Sequence, residues 1–169
     1  MRILGLDLGD RRTGVAMSDP DGILATPLTV LESQDEDALI DAVLGLVEQH
    51  NVECIVVGLP RHMDGEMGRQ ALKATAFADR LRLRAEVMSG QSDHGQPGIE
   101  LWDERLSTQV AERLRAEAGS RGQKPRPGAK RGARHHSFRA RAGIDAMAAA
   151  LILQGYLDSL KDEEQWRIA

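Results

Sequence analysis

Three acids occupy three different kinds of setting along the chain. Asp7 interrupts the apolar run Ile3-Leu4-Gly5-Leu6-Asp7-Leu8-Gly9. Glu104 follows the strand-like run Ile99-Glu100-Leu101-Trp102-Asp103. Asp145 opens the Ala-rich segment Ile144-Asp145-Ala146-Met147-Ala148-Ala149-Ala150. A carboxylate in an apolar stretch is costly to bury unless something neutralises it. Hard divalent cations, which prefer oxygen ligands, are suited to do so. If the three acids converge, they form a Mg²⁺ or Mn²⁺ site for phosphodiester chemistry. Two ions about 4 Å apart would there activate a water and stabilise the leaving oxygen of an in-line displacement.

Other readings of these acids stand beside that one. Asp7 could be purely structural, and Asp145 could cap a helix without taking part in chemistry. Asp103 competes with Glu104. Successive strand residues face opposite ways, so one of the two faces the site, and spacing does not choose between them. Most of the other acids sit on amphipathic helices. Asp35, Glu36, Asp37 and Asp41 suit the N-terminal part of a helix, where the dipole favours negative charge. Of the histidines, His50, His62 and His94 read as surface residues. His135 and His136, close before Asp145, could contact phosphate or assist proton transfer.

The elements that must position these acids follow from periodicity. Ile3 to Leu8 is apolar at nearly every position and reads as a strand buried on both faces. Gly9 to Arg12 forms a turn, and Thr13 to Ser18 is the return strand of a hairpin. A third strand falls between Gly22 and Leu31, with Pro27 pointing to an edge or a bulge. Leu39, Ile40, Val43, Leu46 and Val47 recur at helical spacing over 35–50, with Ser33 or Asp35 as cap. Cys54 to Leu59 is a β-branched strand, and Glu66 to Arg84 a second helix. Ser89 to Gly98 reads as a loop, Ile99 to Trp102 as a strand, and Thr108 to Ala118 as a helix stopped by Gly119. A final helix spans 144–160. The predicted order, βββαβαβαα, describes an α/β fold: a mixed central sheet with helices on both faces. Ligands of such sheets collect beyond the carboxyl ends of the parallel strands.

The expected organisation is a single domain over 1–160, a basic loop over 119–143 and a polar tail over 161–169. The net charge is −4, yet from Gly119 to Arg141 there are eight Lys and Arg and no acid, so the remainder carries −12. An acidic body with one basic strip suits a polyanion such as nucleic acid, with Lys130, Arg131 and Arg134 as backbone contacts; a solubilising loop is the bland alternative. Aromatic content of 3% leaves little for base stacking, which favours recognition of backbone and shape. The longest apolar run, Ala146 to Leu153, is too short to span a bilayer. The lone Cys54 reads as a small core residue. These features predict a cytoplasmic protein.

Four blocks, in order, resemble the YqgF/RuvX family. They are Gly5-Leu6-Asp7-Leu8-Gly9 with Arg12-Thr13-Gly14-Val15-Ala16-Met17-Ser18-Asp19; Val57-Gly58-Leu59-Pro60 with Asp64-Gly65; Asp103-Glu104-Arg105-Leu106-Ser107-Thr108; and Ile144-Asp145-Ala146 through Leu151-Ile152-Leu153-Gln154-Gly155-Tyr156-Leu157. The resemblance implies an RNase H-like fold and a metal-dependent endonuclease. Members are described as Holliday junction resolvases and as nucleases that mature the 5′ end of pre-16S ribosomal RNA. It assigns Asp7, Glu104 and Asp145 as catalytic, metal-binding acids and decides for Glu104 over Asp103. Arg12 and Arg105 match basic motif positions, where phosphate contact is the expected role. The stretches Ser89–Gly98 and Gly119–Gly143 look longer than the family's usual connections. Symmetric cutting of a four-way junction calls for two active sites, so the DNA reading carries a homodimer with it. Two other classes remain on the sequence: an actin-like or sugar-kinase ATPase, for which the chain is short, and a non-catalytic nucleic-acid-binding factor of ribosome assembly.

Overall fold

The computed structural model describes residues 1–60, 68–89, 95–103 and 134–168, with side chains in the last span described over 143–161. Five strands form one sheet: β1 (Ile3–Leu8), β2 (Arg12–Ser18), β3 (Ala25–Glu32), β4 (Cys54–Leu59) and β5 (Gly98–Asp103). Among the described residues three helices cover it: α1 (Glu36–His50), α2 (Arg69–Ser89) and α3 (Arg134–Ile168). The strand order is β3-β2-β1-β4-β5. β1, β2 and β3 form an antiparallel meander, whereas β1, β4 and β5 run parallel. β1 is therefore central, and its carboxyl end opens beside those of β4 and β5.

The alternation of side chains divides the sheet into two faces. Leu4, Leu6, Val15, Ile55 and Val57 face one way and form a core with Ile40, Val43 and Leu44 of α1 and Phe77, Ala78 and Leu81 of α2. Ile3, Ala16, Cys54 and Val56 face the other way and pack on Ala149, Ala150, Ile152, Leu153, Tyr156 and Leu157 of α3. Cys54 is the buried core thiol that its apolar strand predicts. β3 is the edge strand, and the β2–β3 register slips between Val15 and Ala16, which pair with Thr29 and Pro27. Pro27 thus sits at both an edge and a bulge, where its missing N–H costs least. The Asp35 carboxylate caps α1 by accepting from the Asp37 N–H at 3.0 Å.

Three helix ends reach beyond expectation for one reason: the added segments hold no Pro and, but for Gly143, no Gly to stop a helix. The last helix starts at Arg134, not 144, and takes in the last ten residues of the expected 119–143 loop. Every Pro of the basic strip and all four of its Gly precede Ala133, so nothing in Arg134–Arg141 stops a helix. The same helix runs on to Ile168 through the segment read as a polar tail, which also lacks Gly and Pro. α2 continues to Ser89, five residues past the expected end at Arg84, and buries Ala85 against the core. The predicted helix over 108–118 lies outside the described residues.

Candidate active site

Asp7 stands near the carboxyl end of β1, on the face covered by α3. It shares that face with Gly5, whose Cα points into α3, and is cross-strand partner to Gly14 of β2. The backbone of α3 lies directly on Gly14: the Asp145 carbonyl carbon and the Ala146 nitrogen fall 2.5 and 3.1 Å from where a Gly14 side chain would begin, and the Asp145 carbonyl oxygen is closer still. One helical stripe, Asp145, Ala149 and Leu153, runs from Gly14 to Gly5, where Ala149 O and Leu153 Cβ would crowd a side chain at 3.1 and 2.7 Å. Two glycines thus form a seat that lowers α3 onto the hairpin and brings Asp145 to Asp7. Asp145 is some three turns inside α3. It is not in the first turn, so the capping role does not apply.

The electrostatics follow from this proximity. Burial, and then the negative charge of Asp145, push the Asp7 carboxyl above the usual aspartate range. Among the described residues no hydrogen-bond donor or cation meets it. Asp145 has a counter-ion: Arg12 Nη1 lies 3.6 Å from its Oδ2. Arg12 Nε lies 3.3 Å from Glu32 Oε1 on the neighbouring strand, its register partner. Two adjacent carboxylates, one of them lacking a donor, form a hard-oxygen set suited to a divalent cation. Among the described residues no third His, Cys, Asp or Glu joins them.

β5 bounds the site on its other side. Continuing the Leu6–Val57 pairing by one residue sets Asp7 level with Gly58, which pairs with Trp102. Trp102 is on the α3 face: its ring meets Tyr156 edge-on at 5.6 Å, and its buried indole N–H has no acceptor among the described residues. Tyr156 Oη donates to Glu100 Oε2 at 2.9 Å, which ties α3 to β5. Asp103 alternates with Trp102 and shares its side of the sheet with Ile99 and Leu101, which pack towards α1 and α2. It is thereby turned away from Asp7 and Asp145.

Of the expected site residues, Asp7, Asp145 and Arg12 are brought together. Glu104, Arg105, Lys130 and Arg131 lie outside the described residues, as do His62 and His94. Arg134 begins α3, with His135 and His136 in its first turn, and His50 ends α1. Sequence reasoning assigned no role to Gly14 or Glu32. The hairpin register offered a signal for Gly14, since a turn over 9–12 sets residue 14 opposite residue 7.

A family model described as "RuvX: Holliday junction resolvase" matches residues 1–159. The chain belongs to the RuvX family. Its relatives include proteins named "Putative pre-16S rRNA nuclease". One, from Desulforudis audaxviator, is 38% identical over 163 residues, covering 95% of this chain and 96% of that one. Another, from Pelotomaculum thermopropionicum, is 42% identical over 160 residues, covering 94% and 88%. Among solved structures, T. thermophilus RuvC in complex with Holliday junction substrate superposes with a TM-score of 0.54 at 17% identity, covering 94% of this chain and 96% of that one. The yeast mitochondrial Holliday junction resolvase Ydc2 gives 0.50 at 14% identity, covering 92% and 77%. These two share the RNase H-like α/β fold that the motifs imply. As a RuvX protein the chain is a nuclease, a hydrolase acting on phosphodiester bonds. Among the described residues no helix is long and apolar enough to cross a membrane.

Proposed function

We propose that this RuvX protein is a divalent-metal-dependent endonuclease that processes the 5′ end of pre-16S ribosomal RNA in the cytoplasm. The observation that carries the reading is the half-buried Asp7 carboxylate, set beside Asp145 with no donor of its own among the described residues. A buried carboxylate next to a second one is unfavourable until positive charge arrives. Asp7 and Asp145 would hold Mg²⁺ or Mn²⁺ together with Glu104, the residue after Asp103 in the chain. Asp103 itself faces the other core, which favours Glu104 as the third acid. Two bound ions would supply an activated water and neutralise the leaving oxygen.

The chain's own groups do the rest. Asp7 and Asp145 are held by two elements locked at Gly14, so their spacing is set before substrate arrives. Arg12 and Arg105 orient the scissile phosphate, and Lys130, Arg131 and Arg134 grip the flanking backbone. Relatives at 38% and 42% identity, matched over nearly their whole length, carry the pre-16S rRNA name, which favours RNA. The family description and the junction-bound fold relative favour a second reading, a homodimeric resolvase of branched DNA.

The test offers precursor 16S RNA and a mobile four-way DNA junction side by side, with Mn²⁺ or Mg²⁺, to wild type and to Asp7→Asn. Metal-dependent RNA cleavage at the mature 5′ end, lost in Asp7→Asn and with chelator, is the expected result. Junction cleavage alone would transfer the assignment to the second reading. Undiminished activity of Asp7→Asn would remove Asp7 from the site.

A further inference from the structure

Arg12 is shared. Its Nε faces Glu32 Oε1 at 3.3 Å and its Nη1 faces Asp145 Oδ2 at 3.6 Å, so one guanidinium spans an acid of the proposed cation site and an acid that has no place in it. The sharing is built by the sheet. Arg12 and Glu32 are cross-strand partners and so present their side chains on one face, and Arg12, Gly14 and Ala16 alternate onto the face that α3 covers. Asp145 is held there by the Gly14 seat. Arg12 and Asp145 are the less exposed members at 28% and 34%, and Glu32 is the outer one at 48%.

This geometry has a consequence for cation binding. A cation that takes Asp145 as a ligand competes with Arg12 for the same carboxylate. The guanidinium cannot lose its charge and must keep a partner. Glu32 can hold it, already in register and already in contact. We propose that Glu32 is a positioning residue: by sharing Arg12 with Asp145, it loosens the Arg12–Asp145 pair and sets how readily the site accepts a divalent cation. The proposal rests on the metal-site reading above. It assigns Arg12 two successive partners, with Asp145 countered before the cation binds and Glu32 holding the guanidinium afterwards.

The experiment measures Mn²⁺ binding directly, from the EPR signal of free aqueous Mn²⁺, with the full chain and without nucleic acid. Glu32→Gln removes the carboxylate that draws Arg12 away from Asp145, so the Mn²⁺ Kd rises about three- to fivefold, the scale of a half-exposed ion pair. Arg12→Gln removes the competitor, so the Kd falls by a similar factor. The deciding measurement is the double variant. If Glu32 acted only by through-space attraction to the cation, its loss in Glu32→Gln would weaken binding by the same factor with or without Arg12. The relay instead requires the Glu32→Gln effect to vanish, to within about twofold, in the Arg12→Gln background. Arg12→Lys is the second background should Arg12→Gln not fold. It keeps the charge but lacks the rigid fork whose separate nitrogens face Glu32 and Asp145, and the Glu32→Gln effect must shrink there as well. Equal effects in wild-type and Arg12-variant backgrounds, or wild-type affinity in Glu32→Gln, overturn the relay and leave the metal site standing. Absence of Mn²⁺ binding to wild type, or undiminished binding by Asp7→Asn, overturns the metal site itself.

Discussion

Replacing Gly14 with Ala tests whether the seat of α3 sets the active-site geometry. A Cβ at Gly14 would lie 2.5 Å from the carbonyl carbon of Asp145 and 3.1 Å from the Ala146 nitrogen, against 3.4–4 Å for ordinary contact. Both sides are backbone, so no rotamer change relieves the clash. α3 must lift by about 1 Å, at the cost of overpacking, about 1–3 kcal/mol. In a domain of this size that is a fall of about 2–12 °C in Tm. The larger effect falls on chemistry: Asp145 retreats from Asp7 by the amount α3 lifts, and a displacement of about 1 Å costs on the order of a hundredfold in rate. The assay compares kcat on precursor RNA with Tm for Gly14→Ala and Gly5→Ala. Gly5→Ala crowds the same helix, against Leu153 Cβ at 2.7 Å, but Leu153 is two turns from Asp145. Both variants lose stability, and Gly14→Ala loses far more activity per degree of Tm. A Gly14→Ala enzyme with kcat within about twofold of wild type would refute the seat as the positioning device.

Asp7→Asn should be more stable than wild type at neutral pH while losing cleavage. Burial and Asp145 raise the Asp7 carboxyl above 3.8, so wild-type stability falls as pH rises through the folded-state value and remains lost above it. Denaturant melts should show the Asp7→Asn advantage at pH 7 and its disappearance near pH 3.8 and below; an advantage independent of pH would contradict the assignment. Tyr156→Phe removes the donor to Glu100 and should cost about 1 kcal/mol, or about 2–4 °C in Tm, with kcat within a few-fold of wild type. A collapse of kcat without loss of Tm would give Tyr156 a role the fold does not predict. Lys130→Ala/Arg131→Ala should weaken RNA binding across sequences and lower the slope of log K against log salt by about 1 for each phosphate contact removed. An unchanged slope would take both residues off the backbone.

Elements whose patterns were strict were legible from sequence. β1 and β4 are apolar on both faces because both faces are buried, and α1 carries its stripe and its Asp35 cap. Asp7 stood out because a charge in such a strand needs a cause. The limits of α3 were not legible, since Arg134–Arg141 at the end of the basic run and the polar run after Leu160 read as loop and tail, whereas neither contains a Gly or Pro. That error placed Asp145 in a first turn, where capping competed with chemistry. The face that Asp103 takes was not legible without the β4–β5 ladder, because alternation gives the faces of a strand only once its register is known. Glu32 was invisible for a similar reason: its partner Arg12 is twenty residues away and meets it only through the β2–β3 pairing.

The length of α3 sets a fixed spacing. Arg134 and Asp145 lie on one continuous helix, eleven residues apart, and so about 16 Å apart along its axis at 1.5 Å per residue. A helix cannot stretch appreciably, so the first turn of the basic arm and the acid three turns on keep a constant offset whatever else in the molecule moves. A strand of nucleic acid anchored at the far end of that rod would meet the carboxylates at a set distance from its anchor. The place of the cut would then be measured from the point of grip rather than read from the bases.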